Sequence, residues 1–188
     1  MILPVTRDLH DYWGRLKGER AAPDRAEIDP VAIRHILPDI FIIEVDPERR
    51  LPLRLCGARV NALWQREQKG RSFLEWWRAP RREEAAEAIR RVIDTQTPLV
   101  ARARTARTAP DRDAAEFELL LLPLRHFGKS CSRVLGSLAP ARRLDWVADC
   151  PVGPLDLVAA RMLEDKAAQG SKEERRCGEN ARLAASNG

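Results

Sequence analysis

Leu9, Tyr12, Trp13 and Leu16 stand at i, i+3, i+4 and i+7, a spacing that predicts an amphipathic helix over Thr6 to Lys17. Thr6 is its expected cap, Asp8 suits the first turn, and Gly18 supplies the stop. A shorter helix is predicted after Asp29 and Pro30, with Val31, Ile33 and Ile36 as its apolar positions and Pro38 ending it. The period then drops to two. Ile40 to Val45 reads as a strand, Asp46-Pro47-Glu48-Arg49 as a turn, and Arg50 to Cys56 as a second strand with Leu51, Leu53 and Leu55 on one face. Val60, Leu63 and Trp64, then Phe73, Leu74, Trp76 and Trp77, fall in short helical turns interrupted at Gly70. Pro80, Glu83 and Glu84 open a longer helix with a stripe of Ala85, Ala88, Ile89, Val92 and Ile93; Glu87 and Arg91, four apart, make a surface pair.

Three further strands are predicted: Leu99 to Arg107, Ala114 to Leu124 and Val134 to Ala139, joined by turns at 109–113 and 127–130. Leu119 to Leu122 is apolar on both faces, as a central strand requires. Beyond Pro140, Leu155, Val158 and Met162 predict one amphipathic helix, and residues 171–188, with Leu183 as their one large apolar residue, are expected to be disordered. The fold class is α+β. Five strands form an antiparallel sheet with a helical layer and N-terminal helices. Three segments follow: an N-terminal helical segment (1–38), the sheet domain (39–145) and a C-terminal extension (146–188).

A chain of 188 residues has room for one domain and a tail. The run Leu119 to Leu122 falls far short of the ~20 residues of a membrane span, and residues 1–8 lack a signal-peptide pattern. A soluble, cytoplasmic chain is expected. The net charge of +5 invites a nucleic-acid reading. Arg102 and Arg104, two apart on a strand, point the same way and would carry it. The basic residues are dispersed, however, and the last three strands offer only Phe117 for stacking. A solvated sheet face is the simpler reading, and a docking surface for an acidic partner is its functional rival.

Cys56, Cys131, Cys150 and Cys177 show no CxxC spacing, so neither zinc nor disulfides are expected. Neither GxGxxG nor GxxxxGK[ST] occurs. His10 and His35 are isolated, while His126 and Cys131 flank a turn. A small Cys/His enzyme built on that pair would also need an orienting group and an oxyanion site, and the sequence supplies neither. No catalytic residue and no metal ligand is assigned.

The strand order, with short helices after strand two and one long helix before strand three, resembles the PAS fold. Leu55-Cys56-Gly57-Ala58-Arg59-Val60 and Lys69-Gly70-Arg71-Ser72-Phe73-Leu74 look like the PAS stretch where strand two enters the short helices. Three passages are similar to a bacterial single-PAS family formerly described as a domain of unknown function. They are Leu9-His10-Asp11-Tyr12-Trp13, the block from Cys56-Gly57 to Gly70-Arg71-Ser72-Phe73, and Leu119 to Leu124 followed by Leu135-Gly136-Ser137-Leu138. The resemblance implies a non-catalytic sensory or regulatory module. Such a module binds a small ligand or a partner protein and passes the signal by protein–protein contact.

It also implies places. Trp64, Trp76 and Trp77 lie where a PAS ligand sits, and Arg71 and Ser72 could orient it. Plain core packing is the alternative for the tryptophans, and an exposed loop position for the arginine. The haem-binding type uses a histidine on the long helix, and residues 80–96 contain none. The flavin photosensor type places a reactive cysteine in the block where this chain has Arg71-Ser72-Phe73. The cofactor is left open. Leu9, Tyr12, Trp13 and Leu16 would form a homodimer interface, since PAS chains often pair through this helix; folding back onto the sheet is the alternative.

Overall fold

The computed structural model describes residues 3–163 apart from 47, 49, 106–113 and 127–128. Six strands make one antiparallel sheet: β1 (Ile40–Glu44), β2 (Leu53–Cys56), β3 (Leu99–Thr105), β4 (Glu116–His126), β5 (Lys129–Pro140) and β6 (Leu155–Met162), in the spatial order β2-β1-β5-β4-β3-β6. The five expected strands are present, and the sixth replaces an expected helix. Leu155, Val158 and Met162 were spaced for a helix face, but a register shift on β6 moves the phase of the strand by one residue there. The tail from 171 to 188, Arg107 and the two turns after β3 and β4 lie wholly or largely outside the described residues.

Both faces of the sheet are covered. The alternation along β4 explains how one leucine run serves two cores. Leu119 and Leu121 enter an inner cluster with Phe41, Ile43, Phe73, Trp76, Trp77, Ile89 and Val92. Leu120, Leu122 and Leu124 enter an outer cluster with Leu9, Tyr12, Trp13, Ile33 and Ile36. The inner layer is α2 (Ala58–Leu63), the turns at Phe73–Trp76 and Ala79–Arg81, and α3 (Arg82–Thr95). On α3, Ile89 and Val92 are fully buried as predicted, whereas Ile93 is only half-buried. The expected Glu87–Arg91 pair does not form; Arg90 instead bridges Glu83 and Glu87 at 2.7 Å each.

The outer layer is α1 (Pro4–Lys17) with the segment that follows it. Pro4 opens the helix two residues before the expected start. Thr6 is therefore not a cap but a fully buried residue facing the sheet side, its hydroxyl without a hydrogen-bond partner. The predicted helix after Pro30 is a series of turns ending in a single 3₁₀ turn at Leu37–Asp39. Pro123 is tolerated in a central strand because β3 stops pairing at Leu121, so its missing N–H leaves no gap in the ladder. Beyond that point β4 pairs with the outer layer: Trp13 Nε1 donates to the Pro123 carbonyl at 2.9 Å, and Arg125 N to the Pro23 carbonyl at 2.9 Å.

The candidate ligand core beneath the helical insert

The insert is anchored at its start by a close backbone approach. A Cβ on Gly57 would lie 2.3 Å from the Leu37 carbonyl oxygen and 2.4 Å from that of Pro38, so only glycine fits where β2 passes into α2. Arg59 of α2 donates to the buried Asp39 carboxylate at 2.5 Å, tying the insert to the turn ahead of β1. Burial pushes this carboxyl above the usual carboxylate range, and Arg59 only partly opposes the shift. A raised folded-state pKa favours the native state at low pH, and that advantage is lost as pH rises through it. Replacing Asp39 by Asn, which stays neutral throughout, is therefore expected to improve stability relative to wild type progressively as pH rises from 4 to 7. Urea unfolding of both proteins across that range reads it out; a constant difference would show that Asp39 does not titrate abnormally.

The block from Gly70 to Phe73 closes the sheet edge. Gly70 N donates to Leu53 O at 2.7 Å, Leu53 N to Arg71 O at 2.9 Å and Phe73 N to Leu51 O at 3.0 Å. Gly70 takes φ 82°, a left-handed conformation that glycine adopts without strain. Ser72 is a structural joint. Its hydroxyl donates to the Arg50 carbonyl at 2.5 Å and accepts from Leu74 N at 3.1 Å, capping the turn at Phe73–Trp76. Arg71 is half-buried and pairs with Glu75.

Above the inner sheet face, these turns deliver an aromatic cluster. Trp64 and Trp76 stack with centroids 4.8 Å apart and planes 17° from parallel. Phe41 from β1 meets the Trp76 ring edge-on at 5.0 Å, and Phe73 meets Trp76 at 5.2 Å and Trp77 at 5.7 Å. Room for Phe41 comes from β5: a Cβ on Gly136, its cross-strand neighbour, would lie 2.3 Å from the Phe41 ring. Trp76 Nε1 donates to Oε1 of the fully buried Gln68 at 3.0 Å. Trp77 Nε1 is buried with no hydrogen-bond partner. The three tryptophans named from the sequence thus converge, with Trp64 at the rim at 8% exposure, while Arg71 and Ser72 serve the backbone and surface around them. Gln68 was missed. It sits between Glu67 and Lys69 in a polar run, and nothing in that run marks one side chain as buried.

The other candidates are dispersed. Leu9, Tyr12 and Trp13 are buried against their own sheet, and Leu16 is half-buried beside them. The polar tip of Tyr12 is also used: its hydroxyl accepts from Asp29 N at 2.7 Å. Arg102 and Arg104 are exposed, and they lie across the β3–β4 ladder from Glu118 and Glu116, so acidic side chains already interrupt that face. His126 pairs through its backbone with Lys129, and the Cys131 side chain lies outside the described residues. Cys56 is a free thiol. Burial, helped by Glu67, pushes the Cys56 thiol up to about 12, far from a thiolate at neutral pH. No helix among the described residues is long and apolar enough to cross a membrane.

The family model for the PAS domain matches residues 1–139. The chain belongs to the PAS domain family. Membership places it among sensory and regulatory modules. Solved structures are similar to it at low identity. A Rhodobacter sphaeroides LOV protein is 14% identical, with 74% of this chain and 69% of that one covered and a TM-score of 0.44. The PAS domain of a Colwellia psychrerythraea protein is 13% identical, with 60% of this chain and 97% of that one covered and a TM-score of 0.42. An RNA-binding light-oxygen-voltage receptor is 19% identical, with 63% and 36% covered and a TM-score of 0.43. Among curated proteins, none matches this PAS chain.

Proposed function

We propose that this PAS domain is a non-catalytic regulatory module that takes a small planar ligand into the aromatic cluster and reports it to a partner protein through the surface of the insert. The observation carrying this reading is the Trp77 indole N–H, buried among aromatic rings without an acceptor. An unmet buried donor costs about 1–3 kcal/mol, and a ligand that brings an acceptor recovers that cost. Trp64, stacked on Trp76 at the rim, is the ring that a ligand would displace on entry. The insert spans from Gly57, seated on the Leu37 and Pro38 carbonyls, to the capped turn at Ser72, so displacement of Trp64 would move its exposed surface.

Trp77→Phe separates the two roles of that ring. It keeps most of the packing and removes the donor, so stability should hold or rise by up to about 1 kcal/mol while ligand affinity falls. Native mass spectrometry of the purified protein, followed by thermal shifts with planar heteroaromatic acceptors, provides the readout. A retained small-molecule mass or a ligand-induced shift that weakens in Trp77→Phe supports the reading. Wild-type protein with neither would overturn it.

A further inference from the structure

We infer that the free edge of β6 is a self-association surface, where two copies of this chain join antiparallel about a two-fold axis between Val158 and Ala159. The two edges of the sheet are treated differently. The β2 edge is closed by residues 70–73, whereas among the described residues β6 pairs only with β3 and is met on its other side at Leu155 alone. An uncovered strand edge is a template for pairing with another strand.

The direction of the backbone groups follows from both ends of β6. The Leu155 carbonyl accepts from Arg78 N at 3.0 Å and so points away from β3, while Leu163 N donates to the Pro98 carbonyl at 2.7 Å and so points toward it. Antiparallel strands direct alternate residues to alternate neighbours. Counting inward, Leu157, Ala160 and Met162 present their N–H and C=O groups to the open edge, while Leu155, of the same phase, is taken by Arg78. The phase changes at Val158 because Leu157 opposes Ala103 and Ala159 opposes Arg102, leaving Val158 as the extra residue. Val158 is 46% exposed, one of two exposed large apolar residues among those described.

That bulge makes the strand self-complementary. A two-fold between Val158 and Ala159 sets Leu157 against the second copy's Ala160, outward group to outward group. It also sets Asp156 against the second copy's Arg161. Asp156 and Arg161 lie opposite Arg104 and Val100, which are of equal parity on β3, so both project from the same sheet face. In an unbulged strand the same axis would join residues of opposite faces. Arg161 is exposed and makes no ion pair among the described residues, while Asp156 is held by Arg78 at 3.2 Å. Each Arg161 thus gains a carboxylate, and the symmetry makes both contacts at once.

Light scattering of the full chain over a dilution series tests this, with melting by circular dichroism as the folding control. The wild type should show a dimer mass. Ala160→Pro should give a monomer with an unchanged melt, because the lost N–H faces away from β3. Arg161→Asp and Asp156→Arg should each weaken association by roughly tenfold through two like-charge contacts. Mixed in equal amounts, these two variants should dimerise again, since each then supplies the charge that the other needs. A wild type of single-chain mass, a dimer indifferent to Ala160→Pro, or a mixture that stays monomeric would each overturn the inference.

Discussion

Trp13→Glu is expected to destabilise the protein by roughly 4–5 kcal/mol, close to the whole stability of a marginal domain. Trp13 is almost fully buried between α1 and the outer face of the sheet, and its Nε1 donates to the Pro123 carbonyl beyond the end of β3. The substitution removes the ring, leaves the Pro123 carbonyl without its donor, and places a carboxylate among Leu120, Leu122 and Leu124. Denaturant unfolding should show the loss directly. A stable variant whose only change is a lower association state would mean that the stripe of α1 meets a second chain rather than its own sheet.

On the opposite face, Ile89→Asp should cost about 4 kcal/mol. Ile89 has no exposed surface and lies in the middle of α3 over β4 and β5. The titratable partners on α3, Arg90 with Glu83 and Glu87, lie on its solvent side and cannot reach an aspartate at 89. A melting temperature within error of wild type would show that α3 is rotated from the face described. Together the two substitutions test the two cores on opposite faces of the sheet.

The parts legible in the sequence are those where one period runs unbroken. The stripe of α3 and the leucine run of β4 are of this kind, and both lie where the pattern places them. The α1 stripe was equally clear, but a stripe does not say what it faces. Only the sheet's outer leucines, brought beside it by folding, settle that Leu9 and Trp13 are core. Leu155 to Met162 failed for a physical reason: a one-residue bulge turns a period of two into a spacing that also fits a helix. In the insert, the tryptophans announced themselves by size. Gln68 and the structural duties of Ser72 did not, because hydrogen bonds between residues distant in sequence leave no local pattern.

The strand order also governs how this chain comes into being. Ile40 takes its place in the sheet only against Ser137, so β1 and β2 have no flanking strand until nearly the whole domain has been made. During synthesis the hairpin of β1 and β2, with its Ile-Phe-Ile-Ile run, waits with the β5 edge of β1 unpaired. Such late, long-range closure slows folding and prolongs exposure to aggregation. Yield from a cell should therefore depend on translation speed and chaperone supply through the middle of the message more than on the stability of the finished protein.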